Sequence, residues 1–220
     1  MIDHGLHPTP SSAEGETWLA EEREFLRRIA KEYPEIESPT EHAVRRAAVN
    51  VARGLLPSGG RLLELGCADG YMARRMSEHA GMHVVVDAVT FAATRFPDSV
   101  EFRQSLFEEF TPDERFDLVV MCLVLEHVLD PVALMARARR WIDPERGRIL
   151  AIVPNMRALS RQLARAMGIV GELDELTPND LAHGHRRCYD RIALDREIAT
   201  AGGDILQRGG LLLKPFANFQ

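Results

Sequence analysis

The sequence predicts a doubly wound α/β fold built on a parallel sheet, and three observations predict it. Residues 61–73, Arg-Leu-Leu-Glu-Leu-Gly-Cys-Ala-Asp-Gly-Tyr-Met-Ala, pass from an apolar run through a Gly66-x-x-x-Gly70 turn into an amphipathic stretch, the order of strand, tight turn and helix. Val84, Val85 and Val86 lead into Asp87, which puts an acid at the carboxyl end of a second strand, where open α/β sheets bind ligands. Residues 116–122 are apolar apart from Asp117, as expected of a central strand buried on both faces.

The elements follow in order. Residues 1–16 carry no apolar period and are expected to be a flexible leader. From Thr17, a plausible cap, the residues Trp18, Glu22, Phe25, Leu26, Ile29 and Tyr33 recur at helical spacing until Pro34. This stripe reads as packing or as a lid in which Tyr33 closes over a substrate. Ser38-Pro39-Thr40-Glu41 has the form of a capping box with proline in the first turn. Its helix should run to Leu56 with Val44, Ala48, Val51 and Leu55 on one face, and Pro57-Ser58-Gly59-Gly60 turns into the first strand.

After the glycine turn the expected order is helix 71–79, strand 83–86, strand 100–103, strand 116–122, a helix from Asp130-Pro131 to Trp141, and strand 148–153. Met156, Leu159, Leu163 and Met167 mark a further helix; residues 169–189 are an insertion long enough to suggest function. Residues 190–201 form the next helix, Gly202-Gly203 end it, and 204–208 and 211–213 read as two last strands. The organisation is one domain: leader 1–16, N-terminal helical lid 17–56 and α/β core 57–220.

Glycines at 66 and 70 let the backbone approach a ligand, and the helix start beyond them offers free N–H groups. Neither a Lys-Ser or Lys-Thr pair after the last glycine nor a Gly-x-Gly-x-x-Gly pattern is present, so the turn is not that of a phosphate loop or a dinucleotide fingerprint. Glu64-x-Gly66-x-x-x-Gly70 followed by Asp87 resembles the nucleotide-binding core of class I S-adenosylmethionine (SAM)-dependent methyltransferases. The resemblance continues through Phe116-Asp117-Leu118-Val119-Val120, Leu125-Glu126-His127-Val128, Val153-Pro154-Asn155 and His183-Gly184-His185-Arg186, motifs similar to a small bacterial subgroup.

That resemblance implies a Rossmann-like seven-stranded sheet, order 3-2-1-4-5-7-6, with an antiparallel last strand. It implies SAM as cofactor and S-adenosylhomocysteine as product. Glu64, Gly66, Cys67, Ala68, Gly70 and Tyr71 would border the methionine part, and Asp87 would take the ribose hydroxyls. Ser105 and Leu106 would lie at the adenine, where Ser105 replaces the acid many relatives carry. Cys122 ends the fourth strand on the same rim. His42, Arg45 and Arg46 are candidates for the cofactor carboxylate or, more simply, a solvated basic face.

The 220 residues are 45% hydrophobic and 27% charged with a net charge of −6, ordinary for one globular domain and too acidic for a typical nucleic-acid surface. Cys67, Cys122 and Cys188 suggest neither a disulfide framework nor a zinc pattern. No membrane span or signal pattern is evident, so a cytoplasmic protein with a small-molecule substrate is expected, with a homodimer left open.

Methyl transfer needs an acceptor held in line and, for some nucleophiles, a base. His127 suits the base role because imidazole titrates near neutrality. His183, His185, Arg186, Arg187 and Tyr189 form the densest polar cluster; two imidazoles with two guanidiniums would suit an anionic acceptor. His183, His185 and Tyr189 are therefore catalytic candidates beside His127. Tyr33, Asn155, Arg186 and Arg187 are candidates for holding substrate. His183-x-His185 lacks evident third and fourth ligands, so no metal is expected. The leading reading is methylation of a small anionic molecule. Its rivals are intramolecular alkylation of SAM to a cyclic amino acid with release of methylthioadenosine, and a non-catalytic partner protein that keeps the fold.

Overall fold

The computed structural model describes residues 13–32, 39–90 and 96–213. Five strands, β1 (Arg61–Leu65), β2 (Met82–Asp87), β3 (Val100–Gln104), β4 (Leu118–Cys122) and β5 (Arg148–Ile152), form one parallel sheet in the order β3-β2-β1-β4-β5. Leu63 lies between Val84 of β2 and Val119 of β4. The strand order therefore reverses beside β1, and the crevice beyond the carboxyl ends of β1, β2 and β4 is the topological switch point where such sheets take ligands.

Both faces of the sheet are covered, which is why its central strands read as unbroken apolar runs. On one face Leu63, Leu65, Val84, Val86, Val119 and Met121 pack with α4 (Pro131–Trp141) and α7 (Arg191–Thr200). On the other, Leu62, Leu118 and Val120 pack with α2 (Pro39–Leu55) and α3 (Tyr71–Met76). The Asp130 carboxylate accepts from the Ala133 amide at 2.8 Å, and Asp190 does the same for Ala193 at 2.9 Å. These caps fix where α4 and α7 begin.

Three expectations are corrected and one is filled in. The first helix, α1 (Ala13–Glu32), starts ahead of Thr17, because Ala13, Glu14 and Glu16 are strong helix formers that carry the turn backwards. The buried face of α2 is Ala48, Val49 and Ala52, with Leu56 just beyond, while Val51 is exposed; small residues are selected where the helix lies close on the sheet. The insertion contains a short helix, α6 (Pro178–Ala182), after α5 (Leu159–Ala166). Residues 204–208 and 211–213 form no strand: Leu206 and Leu213 stand exposed, Gly209 and Gly210 interrupt the segment, and no described backbone pairs with it. Among the described residues no helix is long and apolar enough to cross a membrane.

Candidate active site

The turn after β1 needs unusual backbone geometry, since Gly66, Ala68 and Gly70 all have positive φ, at 75°, 44° and 77°. A Cβ on Gly66 would stand 2.8 Å from Cγ2 of Val124, so only glycine lets the segment after β4 close against this turn. The Cys67 amide donates to Oδ2 of Asp87 at 2.9 Å, and the Val89 amide donates to Oδ1 at 3.1 Å. Burial raises the Asp87 pKa, and these two amides oppose the rise. Oδ2 also accepts from the Cys67 thiol at 3.5 Å, which leaves Oδ1 the freer oxygen for a further donor. Asp69 accepts from the Tyr71 amide at 3.1 Å and pairs with Arg45 of α2 at 3.3 Å, which fixes the start of α3 and ties it to α2.

Glu64 and His83 form a buried pair under the turn, with Oε2 and Nε2 3.2 Å apart. Burial raises the Glu64 pKa and the hydrogen bond to His83 opposes it. Ser105 donates its hydroxyl to the Leu106 carbonyl at 2.8 Å. Its oxygen is left as an acceptor, the role the missing acid would have filled.

A cavity of about 210 Å³ opens over these groups. Glu64, Gly66, Cys67, Ala68, Tyr71, Asp87, Ser105, Leu106, Cys122, His127 and His183 line it, so the structure brings these expected residues together. Its far wall is α1, through Phe25, Leu26, Ile29 and Ala30. Tyr33 lies outside the described residues, and Gly70 sits behind the wall as the left-handed cap of α3. Of the three candidates on α2, Arg45 lines the cavity while His42 and Arg46 are exposed.

The segment after β4 begins at Leu123, a non-glycine residue at φ 58°, a conformation worth attention at a cavity wall. It delivers His127, whose ring meets that of His185 edge to face with centroids 4.8 Å apart. The Gly184 backbone beside the His127 ring favours its protonated form, but burial, with the neighbouring His185, takes its pKa down to about 4. The imidazole is thus neutral at physiological pH. Glu126 beside it is 1% exposed, and burial pushes its carboxyl up to about 7.

The remaining polar cluster is arranged otherwise than expected. Tyr189 is buried away from the cavity, donates to Oε2 of Glu197 at 2.7 Å, and has its pKa raised by burial and by that acceptor; it is a packing residue between α7 and the sheet. Arg187 donates to the carbonyls of Leu125, Val128 and Leu129 and holds the loop after β4 in shape. Arg186 donates through Nη2 to both oxygens of Glu22, at 3.0 and 2.8 Å, and lies over the Phe25 ring, 4.3 Å from its centroid. Arg187 is spent on backbone carbonyls, whereas Arg186 commits Nη2 to Glu22 and its buried Nε has no partner among the described residues. Asn155 and His185 line a second, smaller cavity with Arg161, Asp180 and Cys188.

The sequence profile of the methyltransferase domain matches residues 39–208, well over half of the chain. The chain belongs to this methyltransferase domain family. The matched span runs from α2 past α7 and contains every cavity-lining residue outside α1. Over 172 residues the methyltransferase domain is 27% identical to the ubiquinone biosynthesis O-methyltransferase of Rhodopseudomonas palustris strain BisB5, covering 73% of this chain and 65% of that protein. With the enzyme of the same name from Azorhizobium caulinodans it shares 28% over 177 residues, 74% of this chain and 67% of the relative. The chain thus spans about two thirds of the length of these relatives. Among solved structures, an S-adenosylmethionine-dependent methyltransferase from Mesorhizobium loti superposes with TM-score 0.54 at 19% identity, over 71% of this chain and 80% of its own. The protein of the DhpI-SAM-HEP complex gives TM-score 0.57 at 23% identity, over 84% and 89%. At these identities the superpositions carry the fold alone.

Proposed function

We propose that this methyltransferase domain binds SAM in the cavity and directs its methyl group to a hydroxyl oxygen of a small molecule with a largely apolar body. One observation carries the reading: Asp87, which ends β2, and His127, in the segment after β4, belong to the ends of the two strands that flank β1 and line one cavity with Gly66. Asp87, at the cavity rim with Oδ1 the freer oxygen, suits the ribose hydroxyls, and Ser105 Oγ suits the adenine amino group. Glu64 and Arg45 suit the ammonium and carboxylate of the methionine part. SAM supplies a methyl group on a sulfonium, an electrophile that needs no further activation.

The chain's own residues then hold the acceptor and manage its proton. Phe25, Leu26 and Ile29 give the acceptor an apolar wall that excludes water. His127, kept neutral by burial and lining the cavity, can offer a lone pair to an acceptor hydroxyl. Oxygen as the acceptor atom is supported by the O-methyltransferases among the relatives. A negative charge on the acceptor is not required by this site, since Arg187 is spent on backbone carbonyls and Arg186 already faces the Glu22 carboxylate. Intramolecular alkylation finds no support in a cavity that continues past the glycine turn to α1. The test is a panel of phenols and hydroxy acids assayed for S-adenosylhomocysteine release. His127→Gln should lower kcat at least tenfold with SAM affinity preserved; unchanged kcat for every methylated acceptor would remove His127 from the reaction.

A further inference from the structure

Among the described residues, a buried carboxylate with both oxygens unsatisfied lies beside this cavity. The Glu126 side chain is 1% exposed. Its own amide approaches the carboxylate without forming a hydrogen bond, and neither Oε1 nor Oε2 has a partner among the described residues. An isolated buried carboxyl of this kind costs several kcal/mol unless something compensates it. Ligand atoms of Glu126, His127 and His185 lie within 4.8 Å of one another.

Both imidazoles have backbone or carboxylate neighbours behind them. The Gly184 backbone lies beside the His127 ring. His185 places Nδ1 3.5 Å from Oδ1 of Asp180, and Asp180 is itself fixed by the Thr177 hydroxyl at 2.7 Å and by Arg161 at 3.3 Å. Metal-ligating histidines keep a carbonyl or carboxylate of this kind behind the ring, where it can take the remote N–H and turn the other nitrogen to the ion.

We propose that Glu126, His127 and His185 form a divalent metal site that opens onto the acceptor side of the cavity. Two imidazoles and one carboxylate suit zinc with an open position, and that position is reached from the cavity, which His127 lines. The sequence leads to no metal being expected, since His183-x-His185 lacks further ligands; in the structure His183 turns its Nδ1 to the Asn179 carbonyl at 2.7 Å and stays out of the cluster. The existence of the site does not depend on methyl transfer. Its chemical role does rest on methyl transfer at this cavity and changes which group handles the proton: a bound ion would take the His127 lone pair, so that His127 no longer serves as base, and would lower the pKa of a hydroxyl bound to it, the proton passing to water.

Metal-stripped full chain is titrated with Co²⁺ and then Zn²⁺, without SAM or acceptor, so that binding is judged apart from methylation. Expected is one equivalent of Co²⁺, with ligand-field absorption in the visible that Zn²⁺ displaces. Glu126→Gln and His185→Asn should abolish that absorption, and Asp180→Asn should weaken binding by roughly 10- to 100-fold. His79→Ala, an exposed histidine elsewhere, should bind as wild type does. Should Glu126→Gln fail to fold, His185→Asn and Asp180→Asn decide the matter. Substoichiometric uptake by wild type, or undiminished uptake by folded His185→Asn, overturns the proposal.

Discussion

The Cys67 amide donates to Oδ2 of Asp87 at 2.9 Å, so the carboxylate at the end of β2 also holds the glycine turn at the end of β1. One side chain thereby couples the shape of the turn to the ligand expected above it. Asp87→Asn keeps the size but loses charge-assisted bonds, and SAM should bind roughly ten- to a hundredfold more weakly, about 1.5–3 kcal/mol. Calorimetric titration with SAM measures this; unaltered affinity would mean that the ribose is held elsewhere.

Gly66→Ala should fail for two separate reasons. Its φ of 75° is costly for alanine, and the new Cβ would lie 2.8 Å from Val124. Destabilisation of roughly 1–3 kcal/mol is expected, seen as a lower urea midpoint, together with loss of SAM binding because the segment after β4 is pushed out.

The Glu22–Arg186 pair fastens α1 to the loop that carries His183 and Gly184, across the cavity. Arg186→Met strands the Glu22 carboxylate, whose pKa burial already raises. A loss of roughly 3 kcal/mol is expected, with faster amide exchange throughout α1, and Glu22→Gln added to Arg186→Met should recover much of it.

Acid and base slopes oppose each other beside the cavity in metal-free protein. His127, held down at about 4 against an ordinary 6.5, leaves the unfolded chain binding more protons in that window, so stability rises with pH there. Glu126, raised from 4.5 to about 7, does the reverse: its contribution is full at low pH and is lost as pH climbs to 7. The two nearly cancel between about 4.5 and 6.5. Removing the titrating group with Glu126→Gln should expose a rise of order 3 kcal/mol from pH 4 to 6.5 in denaturant titrations.

Cys122 lines the cavity with its thiol pushed up to about 12 by burial and nearby Glu64, and Cys67 is raised by burial and Asp87. Both should resist alkylation at pH 8, since the thiolate is the reactive form. Peptide mapping after iodoacetamide treatment tests this; rapid labelling of Cys122 at pH 8 would contradict the burial described for it.

Much of this was legible in the sequence. The central strands and the glycine turn declared themselves through unbroken apolar runs and spacing, and the placing of Asp87 on the rim followed from the strand it ends. What was not legible depends on long-range partners. Arg186 reads as a free cation until Glu22, distant in sequence, is folded against it. Tyr189 reads as a site residue because its polar neighbours are adjacent in the chain, whereas packing turns its hydroxyl to Glu197. Glu126 reads as structural, and only the meeting of two loops brings His185 beside it. The apolar wall from Phe25, Leu26 and Ile29 was visible as a stripe, but a stripe alone does not say whether it faces a core or a cavity.

The most direct measurement is mass spectrometry of products after incubation with SAM bearing a deuterated methyl group, with and without a phenolic or hydroxy-acid acceptor, beside an enzyme-free control. The result expected is S-adenosylhomocysteine formed only when acceptor is present, with the labelled methyl on the acceptor oxygen. Methylthioadenosine above the control in the absence of any acceptor, with no labelled ether or ester formed from any acceptor, would contradict the account.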